Sequence, residues 1–140
     1  MELLVRRLQP QAKLPVYAHP GDAGLDLYAV STTKVAAHSR TRIATGIAIA
    51  IPAGQVGLVW DKSGLAYSIG ITTLAGVIDS SYRGEVQVVV YNTTSQPVIV
   101  TAGQKIAQLL IQPLTTLVVT EVNALTTTQR ADGGFGSTGL

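Results

Sequence analysis

The chain contains no cysteine. That excludes a disulfide framework and a thiolate metal site, and it fits a reducing compartment without requiring one. The expected location is the cytoplasm. Charged residues make up only 13% of the chain, against the usual quarter, and aromatics 5%. A monomer of this size needs more polar surface, so part of the exterior is expected to be buried in an oligomer. Lysines and arginines form no run and the net charge is only +2, so no nucleic-acid partner is expected. No apolar run approaches the roughly 20 residues of a membrane helix, so no membrane partner is expected either. Residues 1–7 carry a basic pair without the long apolar segment of a signal peptide.

What is present is a 140-residue chain, 46% hydrophobic, long enough for one domain with a real core. Apolar residues alternate with a period of two, and turn signals recur at short intervals. That pattern predicts an all-β fold, a jelly-roll-like sandwich or barrel. Predicted strands cover residues 2–8, 25–29, 40–51, 55–60, 85–91, 97–101, 104–112 and 117–122. In the longest, Ile43, Ile47, Ile49 and Ile51 share one face and Ala48 and Ala50 the other. In 104–112, Ala107, Leu109 and Ile111 share one face, which leaves Gln108 as a polar group between Ile106 and Leu110 on the other. One short helix is expected over residues 63–69, with the Ser63 hydroxyl capping its N-terminus. The expected division is a β domain over residues 1–125 and a mobile, glycine-rich tail over 126–140.

Two stretches have the makings of chemistry. Residues 76–86 read as a β-hairpin that holds one carboxylate, Asp79, and one ring, Tyr82, at its bend. A carboxylate can orient and deprotonate a water, and a ring can stack on a flat ligand or wall off a sugar. The plain alternative is a surface turn with a solvated Asp and a half-buried Tyr. The tail places Arg130, Phe135, Ser137 and Thr138 among four glycines. Backbone N–H groups, hydroxyls and a guanidinium suit phosphate contact, and a ring can cover a base. The tail is not a Walker loop, because it lacks the lysine and the following helix, and a frayed end is its plain alternative. His19 and His38 are far apart in sequence and read as loop or surface residues.

Taken together, five segments resemble the homotrimeric dUTP diphosphatases, or dUTPases. The first is Ala23-Gly24-Leu25-Asp26-Leu27-Tyr28-Ala29, the second Lys62-Ser63-Gly64-Leu65-Ala66, and the third residues 76–85. The fourth is Gly103-Gln104-Lys105-Ile106-Ala107-Gln108-Leu109, and the fifth runs from Arg130 to Gly139. Each alone is weak, but their order and spacing together are specific. The resemblance implies a three-fold trimer whose sites are shared between chains, with the tail of one closing over a pocket formed by two others. It implies hydrolysis of dUTP to dUMP and pyrophosphate, with Mg²⁺ held by the triphosphate. By the same resemblance, Asp79 activates the water that attacks the α-phosphorus, and Tyr82 packs on the deoxyribose and excludes a 2′-hydroxyl. The backbone from Thr73 through Leu74 and Gly76 to Val77 reads the uracil edge. Lys62, Ser63, Gly64 and Gln108 contact phosphates. Arg130, Ser137 and Thr138, with Gly136 beside them, hold the γ-phosphate, and Phe135 lies over the uracil. Asp26 supports either the metal's water shell or the geometry of its own motif.

The chain departs from the family pattern beside the second motif. Lys62 stands where arginine is usual, which keeps the charge and loses the bidentate fork. Asp61 stands where proline is common, and a pairing of Asp61 with Lys62 is one expectation. Ala131 and Asp132 are milder departures in the fifth motif. Two other readings are weighed. A dCTP deaminase of the same fold, alone or bifunctional, needs a glutamate in the strand after Gly84, where this chain has Val89. A non-catalytic nucleotide sensor would draw its only support from Lys62.

Overall fold

Valine and isoleucine at alternate positions build most of the strands, because β-branched side chains pack well on a pleated surface. The computed structural model describes residues 1–134 and 137. The tail contacts expected of Phe135, Gly136 and Thr138 therefore lie outside the described residues. In chain order the elements are β1 (Leu4–Arg7), β2 (Leu25–Tyr28), β3 (Thr33–Val35), β4 (Arg40–Ala50), β5 (Gln55–Trp60), α1 (Ser63–Ile69), β6 (Ile71–Leu74), β7 (Val77–Ile78), β8 (Glu85–Asn92), β9 (Val98–Val100) and β10 (Lys105–Pro113). One sheet has the order β1-β4-β8-β6 and the second β2-β10-β5-β7, while β3 and β9 form a small third. Ile43, Ile47, Ile49, Val86, Val88 and Val90 from the first sheet join Leu27, Val59, Ile106 and Leu109 from the second in one core. The fold is an all-β sandwich with one short helix, its sheets open rather than closed into a barrel.

Strand β8 shows the alternation plainly: Val86, Val88, Val90 and Asn92 are buried, and the residues between them are not. Two strands break it by bulging. In β4 the register against β8 shifts between Ala44 and Ala48, and the residues from Thr45 to Ile49 are buried without alternation. The Thr45 hydroxyl donates to the Val86 carbonyl at 2.5 Å, and the Gly46 N–H donates to Glu85 Oε1 at 2.8 Å. In β10 the register against β2 slips between Lys105 and Ala107. Ile106 and Ala107 are then both buried, although the alternation places them on opposite faces. Ile106 is the extra residue of a bulge.

Three expectations are corrected by the structure, and two strands are added to them. Residues 76–86 are not a hairpin. Val77 and Ile78 pair with Leu58 and Gly57 of β5, whereas β8 pairs with β4 and β6. The segment crosses from one sheet to the other, and local propensity fixes a turn but not its partners. Residues 117–122 form no strand; Leu117, Val118, Val119 and Val122 are exposed. Their alternation is strand-like, but a strand needs an edge to pair with, and these residues reach none within the chain. Helix α1 starts where expected, yet Lys62 occupies the N-cap position and no side chain caps it. Finally, β3 and β6 were not anticipated, being only three and four residues long.

Asn92 ties these layers together from a fully buried position. Its Nδ2 donates to the carbonyls of Val35 (3.3 Å) and Gln96 (2.7 Å). Its Oδ1 accepts from the Thr94 N–H (2.9 Å) and hydroxyl (2.8 Å). Every hydrogen-bonding site of the amide is engaged, so truncation strands several buried partners. Asn92→Ala is expected to lower the unfolding free energy by about 3 kcal/mol, measured by urea denaturation.

Candidate active site

The candidate residues fall into two groups along β5, with Asp79 and its turn toward the N-terminal end and the bend at residues 73–77 joining them to the other group. The first group gathers beyond the C-terminal end of β5. Strand β10 lies between β2 and β5, with Gln108 opposite Asp26 on one side and Trp60 on the other. Asp61 and Lys62 follow directly from β5, and Ser63 and Gly64 open α1. Gln108 Nε2 donates to the Asp61 carbonyl at 2.8 Å. Gly24 is required beside it, since a Cβ there would stand 2.6 Å from Gln108 Oε1. The first, second and fourth motifs are thus in direct contact within one chain.

Asp26 is the electrostatic centre of this group. Only 2% of it is exposed, and a bare carboxylate there would be costly. Lys62 Nζ donates to Oδ1, and Lys105 Nζ sits 2.7 Å from Oδ2. That second approach is a charge contact off the hydrogen-bonding direction, since Oδ2 has no well-directed donor. Burial pushes the Asp26 pKa up, but the ammonium groups of Lys105 and Lys62 outweigh it and hold the carboxyl below its ordinary value. Lys105 is raised in turn by the same carboxylate. Sequence reasoning left Lys105 out of the site; the signal was a buried acid in need of counter-charge.

Asp61 does not pair with Lys62. Its Oδ2 accepts from the Thr72 hydroxyl (2.7 Å), and its Oδ1 from the Thr73 N–H (2.6 Å) and hydroxyl (2.5 Å). Burial again works against the charge. The hydrogen bonds from Thr73 and Thr72 prevail, and the Asp61 pKa is lowered. The Thr73 N–H is therefore engaged inside the chain.

The second group lines a cavity of about 250 Å³ whose walls include Leu74, Gly76, Val77, Asp79, Tyr82 and Val89. Asp79 is exposed on the turn after β7. The turn is closed by the Tyr82 N–H donating to the Asp79 carbonyl at 3.1 Å. Arg83 braces it, donating to the carbonyls of Ser80 (2.6 Å) and Tyr82 (2.8 Å). Tyr82 is 47% exposed, and its hydroxyl donates to the Glu85 carbonyl at 3.1 Å. Gly76 has φ 121°, and a Cβ there would lie 2.7 Å from the Val59 carbonyl oxygen, so only glycine allows this approach.

The register of β5 separates the two groups. Gly57 pairs with Ile78, so Asp79 continues toward Val56, whereas Asp61 and Lys62 follow Trp60. At about 3.3 Å per residue Asp79 lies roughly 16–20 Å along the strand from Asp61 and Lys62, while the bend at residues 73–77 stays beside Val59 and Asp61. One chain does not present Asp79 to its own Lys62 and Gln108. Arg130 lies in an exposed turn of the tail, its Nε bonded to the Gly133 carbonyl at 2.9 Å, and the Ser137 N–H bonds to the Gly134 carbonyl at 3.0 Å. His19 and His38 are placed apart, His19 in an exposed loop and His38 in the turn before β4.

The depressed carboxylates carry a pH signature. Both Asp26 and Asp61 bind protons less readily folded than unfolded. Their contribution to stability is complete above the ordinary carboxylate value of about 3.9 and is lost as pH falls through their folded values. Asp26→Asn is expected to cost about 2 kcal/mol at pH 7, less than a fully enclosed pair because both lysines reach solvent. That difference should shrink as pH falls from about 3.9 through the folded value of Asp26, as read from urea midpoints from pH 7 downward.

Comparison with known proteins supplies the family. A model of the dUTPase family matches residues 10–139. The deoxyuridine 5′-triphosphate nucleotidohydrolase of Clostridium kluyveri is 47% identical over 99% of both chains. That of Paramecium bursaria Chlorella virus 1 is 45% identical over 99% of this chain and 98% of its own. Among solved structures, the dUTPase of Staphylococcus bacteriophage 80alpha with dUpNHpp superposes with a TM-score of 0.93 at 26% identity over 99% of both chains. A mutant dUTPase from phage phi11 of S. aureus, described with a structural Mg(II) ion, superposes with a TM-score of 0.83 at 25% identity over 89% of this chain and 98% of its own. The sandwich is thus the jelly-roll-like fold of these enzymes, and the chain belongs to the dUTPase family.

Proposed function

We infer that this chain is a dUTP diphosphatase, hydrolysing dUTP to dUMP and pyrophosphate at sites shared between copies of itself. Its cellular consequence is to limit uracil in DNA and supply dUMP. The observation that carries the reading is the pairing of an exposed carboxylate, Asp79, with a ring, Tyr82, on a braced turn beside a cavity, within a family match spanning nearly the whole chain.

Asp79 accepts a proton from a water as its oxygen bonds to the α-phosphorus. The bridging Pα–O bond breaks, and its electron pair leaves with pyrophosphate. Such a step needs positioning and charge neutralisation more than covalent help, and a positioned base contributes roughly 10²–10⁴-fold. Tyr82 packs against the sugar. The bend at residues 73–77 meets the uracil edge, and the Thr73 N–H at its start is bonded to Asp61. Lys62, Ser63, Gly64 and Gln108 face the phosphates. The start of α1 adds backbone N–H groups without helical partners. The tail, residues 126–140, supplies Arg130, Phe135, Gly136, Ser137 and Thr138 to a neighbouring site.

The described residues gather no cluster of three or more His, Asp or Glu side chains. In this reading Mg²⁺ would be held by phosphate and water oxygens. When bound it neutralises charge on the triphosphate. Asp26 bonds to Lys62 and Lys105, which favours its role in the geometry of the first motif. Three-fold association accounts for the separation of Asp79 from Lys62 and Gln108. It also gives a use to the apolar side chains left exposed over residues 114–125. No helix among the described residues is long and apolar enough to cross a membrane. The deaminase reading is not favoured, because Val89 offers no carboxylate in the cavity wall.

Asp79→Asn is expected to lower kcat by about 10²–10⁴-fold while dUTP binding persists, measured by pyrophosphate release and calorimetry. An active variant would remove the base. Co-expressing Asp79→Asn with a chain cut before Gln129 should restore part of the activity that neither has alone, since mixed trimers would contain some intact sites. Two inactive chains that stay inactive when mixed would argue against shared sites.

A further inference from the structure

Asp61 stands at a junction that its sequence position does not reveal. Its carboxylate takes three hydrogen bonds from β6, through Thr72 and Thr73. Its carbonyl accepts from Gln108 on β10. β6 belongs to one sheet and β10 to the other, so this one residue links the two sheets where the chain leaves β5. Immediately after Thr73 the backbone turns through residues 74–76 to reach β7. That bend is unfavourable by itself: Ala75 has φ 61° and Gly76 φ 121°. An alanine in the left-handed region keeps a Cβ clash that glycine lacks, so the conformation persists only where its surroundings enforce it. On the far side the Val59 N–H donates to the Gly76 carbonyl at 2.8 Å. On the near side the enforcing group is the Asp61 carboxylate. The bend also walls two cavities, of about 250 Å³ and about 310 Å³, the second lined by Trp60 and Asp61 themselves.

We propose that Asp61 is a positioning residue for base selection: by bonding Thr72 and Thr73 it holds the bend at residues 74–76 in the one conformation that distinguishes uracil from cytosine. The proposal rests on the reading of that bend as the uracil contact. Uracil offers an N–H at N3 and a carbonyl at C4, whereas cytosine offers a bare N3 and an amino group, so donors and acceptors are exchanged. Backbone groups held in a fixed direction reject the exchanged pattern, because the mismatch leaves polar groups unpaired. A bend released at one end can turn a peptide and accommodate either base. Asp61 touches neither substrate nor reacting atoms in this scheme; it acts through Thr73.

The test uses the full-length chain and compares the inhibition constant of dCTP with the KM for dUTP. In Asp61→Ala the ratio of the two is expected to fall by about tenfold or more, chiefly through a higher KM for dUTP and tighter dCTP. Asp61→Asn keeps Oδ1 as an acceptor for Thr73 and can donate to the Thr72 hydroxyl, so it should restore most of the ratio. Thr72→Val removes one bond of the three and should fall between, and it decides the matter if Asp61→Ala does not fold. A ratio unchanged in folded Asp61→Ala or Thr72→Val, even with a lower melting temperature, overturns the proposal and leaves Asp61 a purely structural link. A wild-type chain that releases no pyrophosphate from dUTP overturns instead the base-contact reading beneath it.

Discussion

The pairing register of β5 governs how this chain can work. The strand lies between β10 and β7, and it sets Asp79 at one end and Lys62 beyond the other. A β-strand is a rigid spacer of about 3.3 Å per residue. Its length keeps Asp79 and Tyr82 away from Lys62 and Gln108 of the same chain. No side-chain rotation closes a gap of that size. The shared site proposed above answers that gap: the same register that completes the sandwich sets Asp79 away from Lys62 in one chain.

The few charges of this weakly charged chain do more than solubilise it. Asp26 is buried where a carboxylate would be expensive, and two lysines from different segments converge on it. That arrangement joins β10 and the segment after β5 to β2 and sets the motif geometry. Asp61 solves the same problem with hydrogen bonds from threonines and backbone instead of a cation. The two acids divide the work: one orders the lysines, the other orders the bend that leads to the cavity. The substitution of lysine for arginine at position 62 makes sense here, since a compact ammonium on a flexible stem suits a point contact with one carboxylate oxygen.

Much of the fold was legible along the chain. The long β4, β5 and β8 strands and the extent of α1 follow from alternation and from the turn residues between them. What misled was pattern without partner. Residues 117–122 alternate like a strand and lie exposed, and residues 76–86 look like a hairpin and instead cross between sheets. The bulge at Ile106 also puts that side chain on the core face beside Ala107, and alternation cannot register an extra residue. For the candidate site, the motifs pointed to Asp79, Tyr82, Gln108 and Lys62, but the approach of Lys105 to Asp26 and the partners of Asp61 are set by neighbours distant in sequence.

By itself the sequence determined the class of fold, the family and the residue types at each motif, because these depend on local periodicity and on short ordered strings. Only the tertiary structure decided the pairings: that Lys62 serves Asp26, that Asp61 serves Thr72 and Thr73, and that Asp79 stands at the far end of β5 from Lys62 and Gln108. Those facts depend on strand register and on which sheet each segment joins, and a one-dimensional pattern carries neither.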